Sequence, residues 1–168
     1  MRRFFTVALL IMRKDLRVET RSRELFLTTL FFSVSTVLVF AFGFVRDGRP
    51  VENAVAGILW IAIAFAGTLA LGRTFERERY HDVLRALLLA PVDRPAIYVG
   101  KLLGILALLA AVEVVIVPLV ALLFQAPLFR QPILTFLLLS LGTLGFSAVG
   151  TLFGAMLVRA RSRDVLLP

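Results

Sequence analysis

The 168-residue chain contains no cysteine. That absence excludes disulfides, thiolate-bound metals, cysteine-ligated iron–sulfur clusters and the C-x-x-C-H attachment of haem. Histidine is limited to His81, and methionine to Met1, Met12 and Met156. His81 stands in a dense run of charge with no nucleophile or second ligand in its pattern. No paired acids, serine dyad or metal-ligand set occurs elsewhere, so no catalytic or metal-binding residue is assigned. A phosphate cradle is also missing. The one Gly-Lys pair, Gly100-Lys101, has Pro95 where the first glycine of a P-loop belongs and Leu102 in place of Ser or Thr. No recognition-helix or Arg/aromatic pattern suggests nucleic acid, although the formal charge is +8.

What the chain has in excess is apolar surface. Hydrophobic residues make up 60% of it, and the mean hydropathy is +0.93. A soluble domain of this size could not hide that much from water. Four runs are long enough to cross a bilayer: 25–45, 54–72, 102–124 and 133–158. The last would have to tilt or project beyond the hydrocarbon. Barrel strands would alternate in polarity and be much shorter, so the expected fold is all-α: a single polytopic transmembrane domain over residues 1–168.

Charge sets the expected orientation. The first 24 residues hold seven Lys and Arg, the 73–101 segment six and the tail from Arg159 three, against three in the two remaining loops. This positive-inside bias puts the N-terminus, the 73–101 loop and the tail in the cytoplasm, with 46–53 and 125–132 as short turns on the far side. Arg2 and Arg3 before an apolar stretch imitate a signal peptide. Arg13, Lys14 and Asp15 stand where a cleavage site would be, so the segment is expected to be retained.

Several segments are candidates for function. Phe5, Leu9, Met12 and Leu16 recur at helical spacing beside Arg13, Arg17 and Arg21, which predicts an amphipathic helix in the lipid interface. It is expected either to be a simple anchor or to be an elbow that braces the first span, with Glu19 and Arg23 as an i, i+4 pair. In the 73–101 loop, Tyr80, Val83, Leu84, Leu87 and Leu88 follow a charged stretch containing Glu76, Glu78 and Asp82. This is a second amphipathic pattern, ended by Pro91 and a turn at Val92-Asp93-Arg94-Pro95. Its apolar face would rest on the bilayer or dock into a cytoplasmic partner, as a coupling helix docks into an ATPase.

Within the spans, Glu113 is the one ionisable residue. A carboxylate at the bilayer centre costs at least about 2.5 kcal/mol, so it should face the bundle and be either protonated or hydrogen-bonded to Ser or Thr of a neighbouring helix. Pro118 follows in the same helix and is expected to kink it. Small residues mark packing faces: Ala62, Ala66 and Ala70; Thr143, Ser147 and Thr151; and the pair Gly150 and Gly154.

Taken together, Lys14-Asp15-Leu16-Arg17-x-Glu19-x-Arg21-Ser22-Arg23-Glu24, Gly57-Ile58-Leu59-Trp60-Ile61, Arg73-x-Phe75-x-Arg77-Glu78, Leu87 to Arg94, Gly100-Lys101 and Glu113 with Pro118 resemble the haem exporter B family. The resemblance runs along essentially the whole chain, though the Pro-Val…Gly-Lys stretch also fits ABC-2-type permeases generally. It implies an ABC-2-like permease bundle in the bacterial inner membrane that serves c-type cytochrome biogenesis. Its implied partners are a cytoplasmic ABC ATPase, a haem-handling membrane subunit, a small membrane helper and a periplasmic haem chaperone. Haem would be cargo of the complex, and no cofactor is expected on this chain itself. Glu76, Glu78, Asp82, Leu84 and Leu87 become candidates for ATPase coupling, and Glu113 for an intramembrane relay or gate. A permease for another substrate, lipid or drug, and a non-transporting scaffold are the alternatives. Family members have about six spans, and the closing Val-Leu-Leu-Pro resembles the opening of another, so a longer protein is expected.

Overall fold

In a computed structural model, the structure describes residues 2–43, 45–46, 49–50, 54–80 and 93–164; at residues 2, 45–46, 49–50, 75–80 and 157–164 it describes the backbone alone. Five helices carry nearly all of these. They are α1 (Arg2–Ser22), α2 (Glu24–Gly43), α3 (Val55–Tyr80), α4 (Arg94–Leu123) and α5 (Pro132–Asp164). Four of them, α2 to α5, are long and apolar enough to cross a membrane. The protein is therefore an all-α, polytopic membrane protein.

The breaks between helices have local causes. Arg23 separates α1 from α2 by adopting a left-handed backbone, φ 54°. The Glu19 carboxylate then accepts a hydrogen bond of 2.7 Å from the Phe26 N–H, one of the unpaired donors in the first turn of α2. This placement also sets a negative charge against the positive end of the helix dipole. A short antiparallel pairing, Val45–Arg46 (β1) with Arg49–Pro50 (β2), turns the chain after α2. At the end of α4, Gln125 is left-handed (φ 50°), and the Ala126 N–H reaches back to the Ala121 carbonyl at 3.1 Å. That is the 6→1 closure of a Schellman motif.

Two helices extend beyond their apolar runs. α3 does not end with the 54–72 run but continues to Tyr80 through Arg73, Glu76 and Arg77. These are good helix formers that favour continuing the helix into water. Nor do Arg94 and Pro95 form a turn. Asp93 occupies the N-cap position and Pro95 the first turn of α4, where a missing N–H costs nothing. Gly100 and Lys101 consequently lie inside α4, well past its start.

α3 is the central element, with α2, α4 and α5 all packed on it. The core gathers Val37 of α2, Ile58, Ala62, Ile63 and Ala66 of α3, and Ile105, Leu109, Val112 and Ile116 of α4. α5 is the most outlying. Only 11% of its apolar stretch is buried against 44% for α3, so most of α5 is exposed on the outside of this bundle. Three side chains fix it to α3 at glycines: Trp60 against Gly142, Phe146 against Gly67 and Leu71 against Gly150. Close approach of this kind is how helices associate where lipid removes the hydrophobic drive.

α1 corrects an expectation. It does not brace the first span: it packs most extensively on α4 and only lightly on α2. Its seam is Ala8 and Ile11, both buried, while the predicted apolar stripe leaves Phe5 and Leu9 exposed. Gly100 decides this, because a surface without Cβ on α4 lets the α1 backbone come close. α2, α3, α4 and α5 thus form a bundle, and α1 lies against the end where α4 begins, here called the proximal end.

Candidate functional site

α4 carries two enclosed charged side chains among the described residues, Lys101 and Glu113, each with a polar partner. The first lies at the proximal end. A Cβ added at Gly100 would meet the Ala8 carbonyl oxygen and the Ile11 Cβ, each at 2.8 Å, so α1 and α4 touch backbone to backbone. One residue on, the Lys101 ammonium donates to Asp15 Oδ2 at 2.6 Å. The Lys101 side chain is 4% exposed and that of Asp15 20%. Lys14 adds a second cation at 2.9 Å from Asp15 Oδ1. At Gly104, one turn further along α4, an added Cβ would lie 3.6 Å from the Asp15 Cβ, so Asp15 rests on the same glycine-bared surface. A buried ammonium is tolerated only when such a partner is held in place.

The second contact is Glu113. The Thr143 hydroxyl of α5 donates to its Oε1. This is a hydroxyl on a neighbouring helix, the arrangement its position in an apolar span demands. Thr143 itself is fully buried, and Ser147 and Thr151 continue the same face, buried too. Tyr98 of α4 donates to the Ala148 carbonyl of α5 at 2.8 Å, a second polar tie between these helices. Pro118 sits within α4, exposed on its outer side, and the helix continues through it.

The other sequence candidates divide by position. Glu76 and Glu78 lie on the proximal extension of α3, whereas Asp82, Leu84 and Leu87 lie outside the described residues. Gly150 faces Leu71 of α3, within the chain. Gly154 stands one turn on along α5, half-buried. Arg73 reaches Glu24 at 3.4 Å, an exposed pair that ties α3 to the start of α2. Among the described residues no group of three or more His, Cys, Asp or Glu could hold a metal ion.

The Asp15–Lys101 pair escaped the sequence reading. Its members are 86 residues apart, and each alone reads as an interfacial charge. A signal was nevertheless present, since Lys14-Asp15 and Gly100-Lys101 are two of the stretches that carry the family resemblance. The fold brings those stretches together.

Comparison with known proteins identifies a family. The family model described as CcmB protein matches residues 6–168. Heme exporter protein B of Rhodobacter capsulatus is 29% identical over 160 residues, covering 94% of this chain and 72% of that protein. Heme exporter protein B of Escherichia coli K12 is 27% identical over 94 residues, 56% of this chain and 43% of that protein. No solved structure matches the chain.

Proposed function

This chain belongs to the CcmB protein family, and we propose that it is the membrane permease subunit of an ABC-type complex that exports or delivers haem for c-type cytochrome biogenesis. The observation that carries the reading is the family match, which runs from residue 6 to residue 168 rather than over one motif. Relatives named for haem export support the cargo.

In this reading haem is the cargo, and ATP is hydrolysed by a separate cytoplasmic subunit. A haem-handling membrane subunit, a small helper and a periplasmic haem chaperone complete the complex. The protein sits in the inner membrane with its N-terminus in the cytoplasm, as the distribution of Lys and Arg favours. The proximal end is then cytoplasmic. There the extension of α3 with Glu76 and Glu78, followed by Asp82, Leu84 and Leu87, meets the ATPase. The α1–α4 junction stands at the same end, and α4 carries Glu113 from it to mid-bilayer. Motion imposed on the proximal end therefore reaches Glu113 through one continuous helix. The chain acts as a transmitter that releases loaded chaperone, with Glu113 and Pro118 as its gate.

The test is Leu84→Asp and the charge reversals Glu78→Arg and Asp82→Arg, made in cells that depend on this subunit. The ATPase should no longer co-purify, and c-type cytochromes should fall, while the chain still inserts. Co-purification with normal cytochromes withdraws the coupling assignment. A haem stain of each purified subunit tests the cargo, and normal c-type cytochromes in cells lacking the chain would favour another substrate. Glu113→Gln tests the gate, since normal cytochrome maturation would leave it a structural hydrogen bond.

A further inference from the structure

Thr143, Ser147 and Thr151 stand four residues apart on one face of α5 and are 1%, 0% and 1% exposed. Thr143 donates to Glu113. Ser147 and Thr151 have no hydrogen-bond partner, and with Thr29 they are the buried side chains so placed among the described residues. Three span hydroxyls behave differently. Ser33, Thr36 and Thr68 each return to the carbonyl one turn earlier at 2.8 Å. Ser147 and Thr151 make no such bond, although unpaired hydroxyls in an apolar interior are costly.

Two helix pairs in the bundle, treated below as bodies, carry specific fastenings, while α3 and α4 also share the apolar core. α3 and α5 are pinned in register by side chains seated on glycines, Trp60 on Gly142, Phe146 on Gly67 and Leu71 on Gly150. A one-turn slip would drive Trp60 toward Phe146. α1 and α4 are joined by the Gly100 contact and the Asp15–Lys101 pair. Between the bodies run polar ties that repeat along a helix. Glu113 meets a hydroxyl with two more behind it, and Tyr98 meets a backbone carbonyl, Ala148, whose equivalent one turn on is Leu152. Toward the distal end the residue four before Thr143 is Leu139, which offers nothing to a carboxyl group.

We propose that Ser147 and Thr151 are reserve partners of Glu113, so that the α1–α4 body can shift by one helical turn, roughly 5.4 Å, toward the proximal end and re-form its polar contacts. The ladder is longer on the proximal side: proximal movement replaces Thr143 with Ser147 and then Thr151, both buried, whereas the distal side offers Leu139 and the half-buried Ser140. Discrete one-turn steps of one packed element past another are an established form of protein switching. The proposal rests on the permease reading only for the source of the push. Ser147 and Thr151 act as positioning residues for Glu113.

The absence of cysteine permits a clean test. Nitroxide labels at Ala110→Cys of α4 and Ala155→Cys of α5, both exposed positions, report the register of the full chain in lipid nanodiscs. Thr143→Val should shorten the inter-label distance by about one turn. Thr143→Val with Ser147→Ala and Thr151→Val should lose that second distance. Glu113→Ala, which removes the acceptor, should spread the distribution over both registers. A fixed single distance in Thr143→Val and Glu113→Ala overturns the ladder. These distances need neither haem nor ATP, so failure here leaves the permease reading standing, and loss of that reading leaves the register measurement intact.

Discussion

Lys101 of α4 and Asp15 of α1 form an ion pair of 2.6 Å across 86 residues of sequence, with the lysine side chain almost wholly enclosed. The pair is a fastening between α1 and the bundle, and its asymmetry has a consequence. Asp15→Asn takes the carboxylate away from an enclosed ammonium and should cost about 3 kcal/mol, toward the low end for a broken buried pair because Asp15 is partly open to solvent. Asp15→Asn with Lys101→Met should recover most of that loss. Thermal unfolding of the purified protein in detergent, taken as a double-mutant cycle, measures both; equal stability of Asp15→Asn and wild type contradicts the pair.

Gly100 and Gly145 should respond oppositely to alanine. Alanine is the better helix former by up to about 1 kcal/mol. At Gly145 the added methyl meets nothing within 4 Å, so the substitution should be neutral or stabilising. At Gly100 it meets a carbonyl and a Cβ at 2.8 Å, groups that cannot rotate aside. α1 should lift off α4. Trypsin cleavage within α1 should become faster in Gly100→Ala and stay unchanged in Gly145→Ala.

Gly150 should be more forgiving than its G-x-x-x-G setting suggests. An alanine there meets the end of the Leu71 side chain, which can change rotamer, so Gly150→Ala should cost less than about 1 kcal/mol. Gly150→Leu has no such escape and should separate α5 from α3. Detergent melting temperatures of the two variants would reveal the difference.

The α1–α2 elbow can be strengthened and weakened independently. Glu19→Ala removes the acceptor for the Phe26 N–H and should cost about 1 kcal/mol, as loss of a helix cap does. Arg23→Gly relieves a left-handed backbone at φ 54° and should stabilise by about 1 kcal/mol. Thermal unfolding reads both. Loss of stability in Arg23→Gly would mean that the arginine side chain matters more than its backbone.

Pro118 removes one backbone donor from the middle of α4. Pro118→Ala should restore that hydrogen bond and raise thermal stability; the proposed gate role adds that c-type cytochrome yield should fall. Raised stability with full cytochrome yield would confine Pro118 to a structural role.

Much of the architecture was legible before any coordinates. Runs of 19 to 26 apolar residues leave a chain in a bilayer few options besides the helix, since every backbone group must be satisfied within its own segment. A hydroxyl on a neighbouring helix was one of the partners that the same physics left open to Glu113. The helix boundaries were less legible. At Arg94-Pro95 and at Gly72 the local residues suit a helix as well as a turn, and continuity with the packed segment decides between them.

Four apolar helices, with Glu113 inside one of them, follow from the order of residues alone, because the cost of bare backbone and bare charge in hydrocarbon is a local quantity. The docking of α1 on α4 rather than on the first span, the pairing of Asp15 with Lys101, and the contact of Gly100 with a backbone where Gly150 meets only the end of a side chain arise in the packed bundle. Those outcomes depend on which surfaces fit across the bundle. In a membrane, where apolar faces are nearly interchangeable, a bare glycine and a single buried charge determine the fit.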